Sequence, residues 1–159
     1  MTSKHTVLVT RKLPKAVEDR LKRDYDARLN PDDIMYTTDD LIKLSWGADA
    51  ILTCNTEHFT GDVVLRLPDS VKIVANYSVG VDHCDLESFR KRGIIVTNTP
   101  DVLSDATAEI AILLMLGAAR RASEGERMMR KGSWNKWSPE FMVGSAVTGK
   151  RLGIIGMGR

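Results

Sequence analysis

Apolar residues in this chain gather in short blocks separated by polar, charge-rich stretches, at a spacing of roughly 20–25 residues. Thr6–Thr10 (TVLVT), Asp49–Thr53 (DAILT), Lys72–Asn76 (KIVAN) and Ile94–Thr97 (IIVT) are short apolar runs, the pattern of buried strands. Asp26–Leu29 is a shorter candidate. Helical signals lie between them. Pro14 stands where a helix begins, and Val17 and Leu21 share one of its faces. Thr38 is the expected N-cap of a helix with Asp39 and Asp40 in its first turn, and Thr60 of one carrying Val63, Val64 and Leu67. Asp85 to Arg92 reads as a short helix closed by Gly93. Strands alternating with helices imply a parallel, doubly wound sheet. Ligands of such sheets bind beyond the carboxyl ends of the strands. Thr53-Cys54-Asn55 and residues 77–82 occupy such ends.

The pattern changes after Pro100, which ends the strand region. Ser104 or Asp105 opens a long helix whose middle is apolar nearly all round, so it is expected to be buried between two layers or two domains. Helical character is expected to run on to Lys131. Residues 134–147 (WNKWSPEFMVGSAV) have no clean period and hold two Trp, a Phe and a Pro, the composition of a packed loop or a partner-binding arm. Leu152–Ile155 is a last apolar run, expected to be a strand, and Gly156-Met157-Gly158 follows at once. This is the opening of G-x-G-x-x-G, the turn that cradles a dinucleotide pyrophosphate. Its third glycine, the helix facing the phosphates and the ribose-binding acid are expected beyond Arg159.

Composition narrows the picture by exclusion. Twenty-three basic and 21 acidic residues leave a net charge of +2, which gives no drive toward nucleic acid or an anionic membrane. The small basic groups Arg90-Lys91-Arg92 and Arg120-Arg121 fall at expected helix C-termini, where cations favour the helix dipole. Two distant cysteines, Cys54 and Cys84, form no disulfide framework. No apolar run is long enough to span a bilayer, and a cytoplasmic location is expected. Cys54, His58, His83 and Cys84 lack zinc-site spacing, and no G-x-S-x-G elbow is present.

Three segments in order carry a resemblance: KIVANYSVGVDHCD, then GIIVTNTPDVLSDATAEIAILLMLGAARR, then TGKRLGIIGMGR. Together they resemble the D-isomer-specific 2-hydroxyacid dehydrogenases, and within them the glyoxylate/hydroxypyruvate reductase branch. The resemblance implies a flavodoxin-like parallel-sheet substrate domain over 1–100, followed by the first elements of a Rossmann cofactor domain over 101–159. It implies that Val79 and Gly80 form the turn that binds the substrate carboxylate, through successive free N–H groups. Asp82 would hold that loop or cap the next helix. Thr107 would lie near the nicotinamide–ribose end of NAD or NADP, and Gly156, Gly158 and Arg159 would meet its pyrophosphate. The family's catalytic Arg, acid and His are expected beyond Arg159, so the 159-residue chain alone is expected to be inactive.

The implied substrate is a small 2-oxo acid. Phosphoglycerate dehydrogenases place an Arg just before the glycine turn, whereas here the stretch reads Val74-Ala75-Asn76-Tyr77. Trp134, Trp137 and Pro139 resemble the family's dimer arm, so a homodimer is implied. D-lactate or phosphoglycerate dehydrogenase, or an NAD-binding co-repressor-like scaffold, are the alternatives.

Overall fold

The structure is a computed structural model, and it describes residues 4–157. The chain divides into two compact units, residues 1–100 and 101–159.

The first unit alternates strand and helix throughout: β1 (Thr6–Val9), α1 (Lys15–Asp24), β2 (Asp26–Arg28), α2 (Thr38–Leu44), β3 (Ala50–Thr53), α3 (Gly61–Arg66), β4 (Ile73–Asn76), α4 (Leu86–Lys91) and β5 (Ile95–Thr97). The five strands form one parallel sheet in the order β2-β1-β3-β4-β5, the flavodoxin-like order. The order reverses between β1 and β3, which pair Val7 with Ala50 and Val9 with Leu52.

The period-2 alternation of side chains decides which helix each strand residue meets. Leu8, Ile51 and Val74 pack with Leu41 of α2, Val63 and Val64 of α3 and Phe89 of α4 on one face. Val7 and Val9 pack with Leu13 and Leu21 on the other, under α1. Phe59 and Phe89 form an aromatic pair inside the larger core, with ring centroids 5.6 Å apart and planes tilted by 51°. Arg92, just after α4, donates to the carbonyls of Val64, Leu65 and Leu67 and so satisfies the open C-terminal end of α3.

Expected boundaries shift by a residue at several places. The cap of α2 is Thr37 rather than Thr38: its hydroxyl accepts from Asp40 N–H, and Asp40 reaches back to Thr37 N–H in a capping box. That reciprocal pair needs an acid three residues on, which Thr37 has and Thr38 lacks. Asp85, not Asp82, caps α4, accepting from Ser88 N–H at 3.1 Å.

The second unit holds α5 (Ser104–Ala119) and α6 (Ala122–Arg130). The expected continuous helix to Lys131 is broken at Arg121, whose backbone is left-handed (φ 56°). Residues 143–145 return to this break. Ser145 N–H donates to Ala119 O at 2.8 Å, and Arg121 donates to Val143 O. Expected burial of α5 is also not found: none of its residues is buried, and Ile110, Leu113 and Leu114 are each more than half exposed. An apolar helix is covered only by apolar partners, and those of α6 face Trp134, Phe141 and Met142 instead. Leu152–Ile155, expected as a strand, is not one. A strand with no neighbour leaves its backbone groups unpaired, and unit 101–159 offers it none among the described residues.

Candidate functional site

The carboxyl ends of β1, β3 and β4 lie side by side. Thr10 N–H donates to Leu52 O, and Tyr77 N–H donates to Thr53 O at 2.7 Å. The segments that leave these ends therefore form one rim, and the pattern of its hydrogen bonds determines what it offers to a ligand.

At the β1/β3 switch the rim is closed by charge. Arg11 binds both carboxylate oxygens of Asp33 at 2.8 Å and also reaches Thr56 Oγ1 at 3.1 Å. The guanidinium holds the Asp33 carboxyl well below the usual carboxylate range. Glu57 is buried, and its carboxylate accepts from Thr53 Oγ1 (2.7 Å), Thr56 Oγ1 (3.0 Å) and Cys54 N–H (3.2 Å). Burial and then the Glu57 charge push the Cys54 thiol up, and burial pushes Cys84 up to about 11. Both cysteines are free. They are neutral thiols at pH 7 and poor nucleophiles.

The turn after β4 is built differently. Its carbonyls are held: Ser78 O accepts from Thr99 N–H (2.9 Å), Val79 O from Asn98 Nδ2 (2.8 Å), and Gly80 O from Ser78 Oγ (2.8 Å). The N–H groups of Ser78, Val79, Gly80 and Val81 donate to no acceptor among the described residues. With carbonyls anchored and N–H groups free at the end of a parallel strand, the turn presents donors with which its own carbonyls do not compete, the chemistry of an anion site, although the Asp82 carboxylate stands beside Gly80. Gly80 is not there for its backbone angles, because its φ is not positive. A Cβ at Gly80 would meet only Asp82 Oδ2, at 3.3 Å. A Cβ is therefore nearly accommodated at this turn, with only Asp82 having to give way.

Asn76, Asn98 and His83 shape this turn, and the sequence did not single them out for it. Asn76 is the last residue of β4, and Asn98 directly follows β5. An Asn at each of two adjacent strand ends is the available signal. His83 is half-buried and bonded to Asn76 Oδ1 at 2.8 Å.

The remaining expected site residues belong to unit 101–159. Thr107 lies in the second turn of α5 and is exposed; its hydroxyl has no hydrogen-bond partner among the described residues, so it does not bond back to its own helix. Gly156 has a left-handed backbone (φ 82°) with open space where a Cβ would stand, as a phosphate turn requires. Gly158 and Arg159 lie outside the described residues. The described part of this turn does not by itself enclose a dinucleotide. No group of three or more His, Cys, Asp or Glu among the described residues could hold a metal ion. No helix is long and apolar enough to cross a membrane.

A cavity of about 480 Å³ lies on the α1 face of the sheet, lined by Val7, Leu21, Tyr25, Leu52, Ile73 and Ala75 and rimmed by His5, Asp49 and Lys72. The three rim residues precede β1, β3 and β4, so this space opens at the amino ends of the strands, away from the rim with the free donors.

Residues 7–152 match the family model of the D-isomer specific 2-hydroxyacid dehydrogenase catalytic domain, and the chain belongs to that family of oxidoreductases. Among its relatives, a glycerate dehydrogenase of Hyphomicrobium methylovorum is 43% identical over 98% of this chain and 48% of its own length. A glyoxylate reductase of Pyrococcus horikoshii is 40% identical, again over 98% of this chain and 48% of its own. The chain thus spans about half the length of the curated relatives it matches. Two solved structures share the fold. One, from Polaromonas sp. JS6 66, is classed as an NAD-binding D-isomer specific 2-hydroxyacid dehydrogenase; it superposes with a TM-score of 0.88 at 42% identity, over 98% of this chain and 49% of that one. The other is an NADPH-dependent glyoxylate/hydroxypyruvate reductase of Sinorhizobium meliloti, in complex with NADP and malonate. It gives a TM-score of 0.68 at 29% identity, over 83% of this chain and 40% of that one.

Proposed function

We propose that this chain is the substrate-binding part, with the first elements of the cofactor part, of an NAD(P)H-dependent reductase of small 2-oxo acids such as glyoxylate or hydroxypyruvate. The observation that carries this reading is the turn at Val79–Gly80, whose carbonyls are anchored and whose N–H groups are free. In this reading those donors hold the substrate carboxylate and so fix the direction in which the keto carbon points. A bound NADH or NADPH supplies the hydride. Thr107, Gly156, Gly158 and Arg159 are assigned to the cofactor.

The chemistry of the turn favours an uncharged substrate tail. Val74, Ala75, Asn76 and Tyr77 put no cation beside it, and Arg11 is already engaged by Asp33. A phosphate-bearing acid would enter without a counter-charge. The exposed apolar face of α5 and the Trp134–Phe141 segment are assigned to contact with a second copy of the chain, as the homodimer reading requires.

Amide NMR of the chain titrated with millimolar glyoxylate tests the carboxylate assignment. Shifts centred on Val79–Asp82 are expected; shifts elsewhere with none at this turn would overturn it. The 159-residue chain alone is expected to oxidise neither NADH nor NADPH with glyoxylate, since none of His5, His58 and His83 matches the family's catalytic His. Oxidation above the buffer rate would show that expectation to be wrong.

A further inference from the structure

We infer that Asn76 and His83 are positioning residues for the anion-binding turn: their side chains clasp its two ends and thereby set the arrangement in which its free N–H groups meet a carboxylate. The inference rests on the carboxylate reading given above.

The clasp begins with a committed amide. Asn76 is buried, and its Nδ2 donates to Thr97 O at the end of β5, at 3.0 Å. That bond settles which way the amide faces. Its Oδ1 must then point to the other side, where it accepts from His83 Nε2 at 2.8 Å and, more weakly, from Cys84 Sγ at 3.7 Å. An amide oxygen cannot donate, so His83 Nε2 carries the hydrogen. One side chain thus joins the end of β4, the end of β5 and the residue that closes the turn.

The far side of the clasp is equally fixed. His83 O accepts from Phe59 N–H and Phe59 O accepts from Asp85 N–H, both at 2.8 Å, so residues 83–85 are zipped to the segment after β3. Residues 77–82 therefore run between two anchored segments, and the part-buried Asn76–His83 bond is the side-chain link directly between them. The bonds inside the turn (Ser78 to Gly80, Asn98 to Val79) hold individual carbonyls on its outer side. They do not fix the distance between its ends.

Removing the ring donor would leave the buried Asn76 oxygen with only a weak thiol donor, an outcome more costly than losing an exposed contact. The local response is relaxation of the turn ends. A set of N–H groups binds an anion well only while the donors converge without reorganisation, so affinity should fall while the sheet stays intact.

The experiment is the same amide NMR titration of the 159-residue chain with glyoxylate, applied to variants. His83→Ala and Asn76→Ala should each weaken binding at the turn at least fivefold. The double variant should be little worse than Asn76→Ala alone, because Asn76→Ala already removes the bond to His83 along with that to Thr97 O. His83→Gln, whose Nε2 can replace the ring donor, should bind within about twofold of the natural chain. Amide exchange at Ile51 and Val74 should be unchanged throughout, which separates positioning from general loss of structure. If His83→Ala does not fold, His83→Gln against His83→Met, similar in size and differing in the donor, makes the same comparison. Natural affinity in His83→Ala or His83→Met, or additive losses in the double variant, would overturn the clasp. If the natural chain shows no shift at the turn, the carboxylate reading fails and the clasp has no role to serve.

Discussion

At the scale of single residues, the site depends on which groups are left free rather than on which are present. Ser78, Val79 and Gly80 have lost their carbonyls to Thr99, Asn98 and Ser78 respectively, so only donors remain. Gly80→Val tests the consequence. Its backbone angles suit any residue, so the fold should tolerate the change. A branched side chain over the donors should still weaken glyoxylate binding at least about tenfold, or about 1.4 kcal/mol. Unchanged affinity in the NMR titration would move the carboxylate elsewhere. His83 supplies a second residue-scale expectation. Burial holds its imidazole below the ordinary value of 6.5, with His58 adding to the effect and Glu57 and Asp82 opposing it. The folded chain thus takes up this proton less readily than the unfolded chain. The stabilisation is full above about pH 6.5 and is lost as the pH falls through that value toward the lower folded one. The unfolding midpoint should therefore drop between pH 6.5 and about pH 5, before carboxylates titrate, and drop less in His83→Gln. Equal slopes in the two chains would contradict this.

At the scale of elements, the first unit depends on its larger core, where α2, α3 and α4 meet the sheet around Phe59 and Phe89. Phe89→Ala should cost about 3–5 kcal/mol, much of the roughly 5–15 kcal/mol that holds a domain. A loss of more than about 10 °C in the thermal midpoint is expected, and a drop of only a degree or two would show that α4 is peripheral. The same core explains what the sequence made legible. Every strand of unit 1–100 was visible within a residue or so, β1, β3 and β4 because a buried parallel strand is continuously apolar, while the edge strand β2 (Asp26–Arg28) has no buried residue and gave the weakest signal. The cap position at Thr60 and the stop at Gly93 were visible because their chemistry is local, whereas the cap of α4 was offered at Asp82 and lies at Asp85. Arg120-Arg121 was visible as a helix C-terminus, and α5 ends there. That a left-handed Arg121 separates it from a second helix, with residues 143–145 returning to this point, was not visible. Leu152–Ile155 failed for the complementary reason: its composition is that of a strand, but pairing is a property of neighbours. In the site, Gly80 was visible as a turn signal, whereas Asn76, His83 and Asn98 act through tertiary hydrogen bonds that no local pattern announces.

At the scale of the whole molecule, the two units differ in what they leave exposed. Unit 1–100 buries Val7, Leu8, Val9, Ile51 and Val74 of its strands, with Ile73 and Ile95 left exposed, whereas α5 leaves Ile110, Ile112, Leu113, Leu114 and Leu116 exposed, from 41% for Leu116 to 66% for Leu114. These residues run around most of the helix, so no rotation about its own axis could hide them. Each such side chain gains about 1.5–3 kcal/mol when fully buried. Several together rival the roughly 5–15 kcal/mol that holds a domain, so water is a poor partner for this surface. A second copy of the chain carries the same surface and can cover it, with Trp134 and Trp137, both more than half exposed, beside it in sequence. The chain is therefore expected to form a dimer or larger species at tens of micromolar, as read by light scattering. Leu113→Glu combined with Leu114→Glu should dissociate that species, since like charges would be brought together in a low-dielectric contact. Amide exchange in unit 1–100 should not change in the same variant. A natural chain that stays monomeric and fully soluble would remove α5 from the interface and, with it, the assignment of the Trp134–Phe141 segment to a partner copy.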